Sequence, residues 1–304
     1  MKKYLMLLIT SCFIFVLAAC GATGEGTEST GEDAKQTEQV EDFTIGVIPS
    51  QTEGSMEEGM EKLQAILTEE LDRPVKVDIY PDYNGVVEAM NYDKIDMAYF
   101  GPLTYVVAHA NSGAKAIITQ LIDGEPFYHS YIITHVDNPW NSLEDLLAQK
   151  EEVDFAFGDI NSTSGSLIPG IELQDRGVFV SEDEHQFKTV RYTGSHDATA
   201  LAIQNKQVTA GAIDSAIYNQ LVEAGKVDGE QIKTIWESDP LFQYPWAVHA
   251  DTDEETIGKL QAAFLAIEDP VVLDAFGATG FTEAKDEDYE SIRQAAIKEG
   301  IINE

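Results

Sequence analysis

Along most of the chain the apolar positions switch between a helical and an extended rhythm. Phe43-Thr44-Ile45-Gly46-Val47-Ile48 is a short apolar run stopped by Pro49, the pattern of a buried strand. Over 56–67, Met56, Met60, Leu63, Ile66 and Leu67 recur at helical spacing. Residues 75–80 alternate as a half-buried strand, 83–90 read as a short helix, and 95–100 as a strand closed by Gly101-Pro102. The rhythm then predicts a helix over 103–110, extended segments over 116–120 and 130–134, a helix over 143–149 and a strand over 153–157. A helix follows Ser164, and Pro169 inside it predicts a kink or an irregular turn. Strand 189–192, helix 198–205, strand 208–213, helix 215–224, strand 232–236 and an extended piece over 246–249 come next, before helices to the C-terminus. This alternation predicts an α/β protein with parallel sheets whose faces are covered. About ten strands in a body of about 260 residues favour two lobes over one continuous sheet.

The pattern breaks at the N-terminus. Lys2 and Lys3 precede an apolar run over 4–17, and Leu17-Ala18-Ala19-Cys20 follows. A basic start, a short apolar stretch and small residues describe a secretory signal over 1–19 rather than a spanning helix. Cysteine directly after Leu-Ala-Ala resembles the bacterial lipobox, which implies lipidation of the Cys20 thiol. The chain is then extracytoplasmic, anchored to the cell membrane without crossing it. Cys12, the other cysteine, leaves with the signal, so no disulfide is expected. Residues 20–42 are rich in Gly, Thr, Ser, Glu and Gln, a flexible acidic tether that cannot bury enough surface to fold.

Charge narrows the partners. Among 304 residues, 19 Lys and Arg face 54 Asp and Glu, a net charge of −35. Such a surface repels nucleic acid and anionic headgroups. A small anion in a pocket answers to local donors instead. The sharpest such set is Gly158-Asp159-Ile160-Asn161-Ser162-Thr163-Ser164-Gly165, directly after strand 153–157. Three hydroxyls and a glycine at a strand-to-helix junction can surround an oxyanion, helped by the N–H groups of the first turn. One hydroxyl suffices for an N-cap; three exceed that need. Tyr192-Thr193-Gly194-Ser195-His196-Asp197 repeats the strand-to-helix setting, with His196 as a donor or as a satisfied surface histidine. Asp214 ends strand 208–213 and reads either as a helix cap or as an acceptor for a ligand P–OH or ammonium proton. Tyr80, Tyr83, Tyr99, Phe127, Tyr128, Tyr131, Tyr244 and Trp246 stand at loop edges, where a subset could line a cleft.

Asp96-Met97-Ala98-Tyr99-Phe100-Gly101-Pro102-Leu103-Thr104-Tyr105, Ser162-Thr163-Ser164-Gly165, Thr193-Gly194-Ser195-His196-Asp197 and Ala210-Gly211-Ala212 occur in that order. The ordered set resembles the phosphate-, phosphite- and phosphonate-binding proteins of ABC transporters, with the two-lobe type II periplasmic-binding-protein fold. The likeness runs from about Phe43 to Phe276. It implies that Ser162, Thr163 and Ser164 cradle the phosphorus-bound oxygens, with His196 as a further donor. Tyr83 and Tyr128 match tyrosines reaching from the opposite lobe, and Asp214 lies close to an acidic position facing the rest of the ligand. Tyr99, Tyr128 and Trp246 are expected to wall the space beside the fourth substituent. The lobes are expected over 43–133 with 246–304, and over 134–245, with crossovers at 131–134 and 246–249. Closing on phosphite, methylphosphonate or another phosphonate and delivering it to an ABC permease, as a monomer, is the implied function.

No cofactor, metal or catalytic residue is expected. A hydrolase is the rival class, but no Gly-x-Ser-x-Gly elbow occurs and the six histidines are scattered. A phosphate-binding or ligand-sensing lipoprotein of the same fold also fits.

Overall fold

The computed structural model describes residues 41–52 and 56–303. The expected signal, Cys20 and nearly all of the tether lie outside the described residues. Val40–Glu304 forms one compact unit, and its cores draw only on residues from Phe43 to Ile302.

In chain order the strands are β1 (Phe43–Val47), β2 (Val75–Ile79), β3 (Met97–Tyr99), β4 (Lys115–Leu121) and β5 (Phe127–Tyr128). Then come β6 (Ser130–His135), β7 (Asp154–Phe157), β8 (Phe179–Ser181), β9 (Glu184–His185) and β10 (Thr189–Tyr192). The last are β11 (Ala210–Asp214), β12 (Ile232–Glu237), β13 (Leu241–Phe242), β14 (Pro245–Val248) and β15 (Gly280–Glu283). Two sheets organise them: six strands in the order β15-β4-β14-β3-β1-β2, and five in the order β10-β7-β11-β6-β12. Each sheet is the floor of one lobe.

The sheets are mixed, not parallel as the alternation suggested. β1 runs parallel to β2 and β3, and β7 parallel to β10 and β11. β6 and β14, however, are antiparallel to both of their neighbours. These are the first strands after each passage between sheets, so the chain enters each sheet from the opposite end. The expected crossovers at 131–134 and 246–249 fall on β6 and β14 and are corrected accordingly. The passages are 122–129 and 238–244, and there β5 and β13 pair antiparallel, Tyr128 opposite Leu241 and Phe127 opposite Phe242. Gln243 N–H donates to Pro126 O at 2.9 Å beside this ribbon.

Local chemistry explains the elements that carry the cleft. Helix Glu57–Leu71 buries Met60, Leu63, Leu67 and Leu71, one apolar stripe against the six-stranded sheet. Asp82 caps helix Tyr83–Asn91 by accepting from Gly85 N at 2.7 Å, which puts Tyr83 at its first position, at the C-terminal end of β2. Gly101 and Pro102 open helix Pro102–Ser112 after β3. A second core of Phe155, Phe157, Phe179, Phe187, Trp140 and aliphatic neighbours sits on the five-stranded sheet. The cleft lies between the carboxyl ends of strands from both sheets, where open α/β folds place ligands.

Candidate functional site

Strand β7 runs into Gly158–Asn161, and Ser162 then caps the following turn by accepting from Gly165 N at 3.0 Å. That turn, Thr163–Leu167, is π-helical, and helix Ile168–Asp175 continues from it. Leu167 N donates to Ser162 O at 3.0 Å across five residues. The irregularity expected from Pro169 therefore falls just before it, and the proline occupies the first turn of the α-helix, where its missing N–H costs little. The first-turn N–H groups of Thr163 and Ser164 have no acceptor within the helix. Gly165 allows a close approach: a Cβ there would lie 2.9 Å from Ser162 Oγ, 3.1 Å from His196 Cε1 and 3.2 Å from Gly158 Cα.

The three hydroxyls have different employments. Ser162 serves as the cap. Thr163 Oγ1 accepts from Leu103 N at 2.8 Å, a bond from the opposite lobe. Ser164 Oγ has no partner, although its carbonyl accepts from Ser130 Oγ at 2.7 Å. Tyr83 and Tyr128 converge on the same turn from the other side. Tyr83 faces Ser162, Tyr128 faces Ser164 and Thr163, and neither phenol hydroxyl makes a hydrogen bond. Burial raises both phenols well above their usual range, with Asp214 adding to each, so they stay protonated donors.

His196 and Asp214 form the rear of the site. His196 Nδ1 accepts from Asp214 N at 3.2 Å, which places the ring proton on Nε2, and Nε2 lies 3.2 Å from the Tyr244 hydroxyl. Burial lowers the imidazole to about 4, so it is neutral. Asp214 caps helix Ser215–Glu223 through Ile217 N at 2.9 Å. Burial pushes its carboxyl up to about 7, against the opposing pull of the Ile217 N–H and the Tyr244 hydroxyl. Of the two readings of Asp214, the cap is the one its bond to Ile217 N shows. Asp159, buried beside Tyr83, is also raised, chiefly by burial.

All eight expected ligand residues, Tyr83, Tyr99, Tyr128, Ser162, Thr163, Ser164, His196 and Asp214, are at most 2% exposed, so the cleft is shut around them. Tyr99 and His196, and Trp246 behind them, also have partners within the protein. The Tyr99 hydroxyl accepts from Gln120 Nε2 at 2.9 Å, and its ring packs on Tyr244, Trp246 and Phe276. Trp246 lies behind Tyr99 against Phe264 and Phe276, a core residue rather than a cleft wall. His196 has both ring nitrogens occupied, so it orients Tyr244. Tyr244 was visible only as one aromatic among several; nothing local marks it as the link between His196 and Asp214. None of the hydrogen bonds of these residues involves Lys or Arg. Among the described residues no group of three His, Cys, Asp or Glu could hold a metal ion.

The family described as "ABC transporter, phosphonate, periplasmic substrate-binding protein" matches residues 45–289. The chain belongs to this phosphonate-binding family. The chain is 30% identical over 262 residues to the phosphate-import protein PhnD of Mycolicibacterium smegmatis, covering 84% of this chain and 79% of that one. It is 28% identical over 269 residues to the phosphonates-binding periplasmic protein of Escherichia coli, covering 87% and 78%. PhnD1 of Prochlorococcus marinus, solved with methylphosphonate, superposes with a TM-score of 0.77 at 24% identity, covering 86% of this chain and 99% of that one.

As a member of the phosphonate-binding family, the chain is the substrate-binding component of an ABC importer. It works outside the cytoplasm and hands its cargo to a membrane permease. The family binds and delivers without bond-breaking chemistry, which removes the hydrolase alternative. The two-lobe type II architecture expected from the ordered motifs is the architecture of the fold.

Proposed function

We propose that this protein captures phosphite or a small phosphonate such as methylphosphonate in the chamber between Tyr83, Tyr128 and the Ser162–Ser164 turn. One observation carries the reading. Three buried hydroxyls, on Tyr83, Tyr128 and Ser164, converge without partners in a site with no cation. Each such unpaired group costs about 1–3 kcal/mol until an acceptor fills the space. An oxyanion with three oxygens meets that demand, and the unpaired N–H groups of the first turn favour its charge.

Asp214 sets the rest of the preference. Ionised, it accepts from a ligand P–OH; protonated, it donates to a P–O oxygen. Neutral donors in a water-excluding cleft make each bond to the anion stronger than in water. A P–H or P–CH3 group asks for no partner beside the Tyr99 and Tyr244 rings. The fourth oxygen of phosphate would sit there unpaired, a penalty of about 1–3 kcal/mol and thus about ten- to a hundredfold in affinity. The relative that imports phosphate favours the competing reading, in which Asp214 accepts from a phosphate P–OH. We further propose that the mature chain is a monomer held to the cell surface through lipidated Cys20; loss of palmitate-analogue labelling in Cys20→Ala is the expected check.

Calorimetric titration of residues 40–304 with phosphite, methylphosphonate, 2-aminoethylphosphonate, phosphate and sulfate tests the ligand. Phosphite or methylphosphonate should bind more tightly than phosphate. Equal or tighter phosphate binding would overturn the preference, and silence toward every phosphorus ligand would overturn the capture reading.

A further inference from the structure

Outside the chamber, the two lobes are joined by a second set of bonds that no candidate ligand residue's side chain makes. Residues 50–52 follow β1 on the six-stranded sheet; residues 195–197 open helix His196–Gln204 on the other lobe. His196 N donates to Ser50 O at 3.1 Å. Thr52 N donates to Asp197 Oδ1 at 3.1 Å, and the Thr52 hydroxyl donates to Asp197 Oδ2. Ser195 Oγ completes the carboxylate's shell at 2.6 Å from Oδ1. Asp197 is a buried acid without a cation, held by neutral donors alone. Burial works to raise its carboxyl, but the Ser195 and Thr52 hydroxyls and the N–H groups of Thr52 and Ala198 outweigh it and keep the charge.

We infer that Asp197 is a positioning residue for capture, a clamp on Thr52 that sets how readily the lobes close on any ligand. The assignment rests on the capture reading above. Two of the donors to Asp197 belong to the opposite lobe, so opening must break both bonds and closing must restore them. The carboxylate touches neither the hydroxyl turn nor the two tyrosines. Its contribution is therefore the same for every ligand, and apparent affinity scales with the closed population it supports. Chamber residues set which ligand binds; the clamp sets how tightly all of them do.

Titrations of Asp197→Asn, Thr52→Val and the double variant, with methylphosphonate and phosphite on residues 40–304, test this. Each single change should raise Kd for both ligands by a common factor of about tenfold, the net value of a hydrogen bond to a charged group. The double variant should lose little more than the worse single one, because both changes remove the same contact. The ligand-free melting temperature should stay unchanged in Thr52→Val, whose position is exposed and keeps the test open if Asp197→Asn folds poorly. Unchanged affinities, fully additive losses, a changed ratio between the two ligands, or losses matched by a lower ligand-free melting temperature would each overturn the clamp. A wild-type body that binds neither ligand would overturn the capture reading and the clamp together; a binding wild type with an unaffected Thr52→Val would overturn the clamp alone.

Discussion

Tyr128→Phe separates a hydroxyl kept for a ligand from one kept for the fold. The Tyr128 ring packs edge-on against Tyr244, with centroids 5.5 Å apart, and phenylalanine preserves that contact. The hydroxyl is buried and unpaired, pointing at Ser164 and Thr163. Removing it deletes no bond of the ligand-free protein and relieves a burial penalty of up to about 1–3 kcal/mol. It also deletes one charge-assisted bond to a bound oxyanion, worth about 1.5–3 kcal/mol, or about ten- to a hundredfold in Kd. The two effects have opposite signs. Calorimetric titration with methylphosphonate should show the affinity loss, while the ligand-free melting temperature holds or rises by a few degrees, at about 2–4 °C per kcal/mol for a body of this size. A variant that melts lower yet binds normally would show instead that the hydroxyl belongs to the fold.

Ser162→Ala should behave differently, lowering both melting temperature and affinity, since its Oγ caps Gly165 N and a lost cap costs about 1 kcal/mol. Gly165→Ala should abolish methylphosphonate binding in titration while the chain still folds, because its Cβ would push on Ser162 Oγ and His196 Cε1. Asp214 has a folded pKa of about 7 against 3.8 for the free group. Between those values the folded body holds the extra proton, so stability falls as pH rises, by up to about 4 kcal/mol. His196 carries the opposite linkage over much of the same range, so denaturant melts from pH 4 to 7 should vary little in the wild type and should fall toward low pH in Asp214→Asn. His196, lowered by burial to about 4 from 6.5, makes stability fall as pH drops through that interval, so His196→Gln should leave the Asp214 slope, a fall toward high pH, in the same melts.

The parts of the site that a single stretch of sequence carries whole were legible. Ser162-Thr163-Ser164-Gly165 needs only its own backbone to form a capped turn with spare donors, and the structure builds it that way. Asp214 likewise reads as a cap because its partner, Ile217 N, is three residues on. What depends on distant pairing was not legible. β14 is plainly extended, but only its neighbours β3 and β4, more than a hundred residues earlier, reveal which sheet it joins. The two-residue strands β5 and β13 are too short for any periodicity, although they tie the two passages between lobes. Trp246 and Tyr99 are both aromatic residues of strands, and only their packing partners separate the core residue from the one beside the candidate site. The roles of Tyr244 and of the Asp197–Thr52 contact emerge only when the two lobes meet.

A crystal structure of residues 40–304 grown with methylphosphonate tests the central claim most directly. The ligand should be sealed between the lobes, its oxygens within hydrogen-bond distance of the Tyr83 and Tyr128 hydroxyls and Ser164 Oγ. No lysine or arginine should touch it, and Asp214 should lie close by. A ligand bound elsewhere, or a chamber still empty of any acceptor for those three hydroxyls, would contradict it.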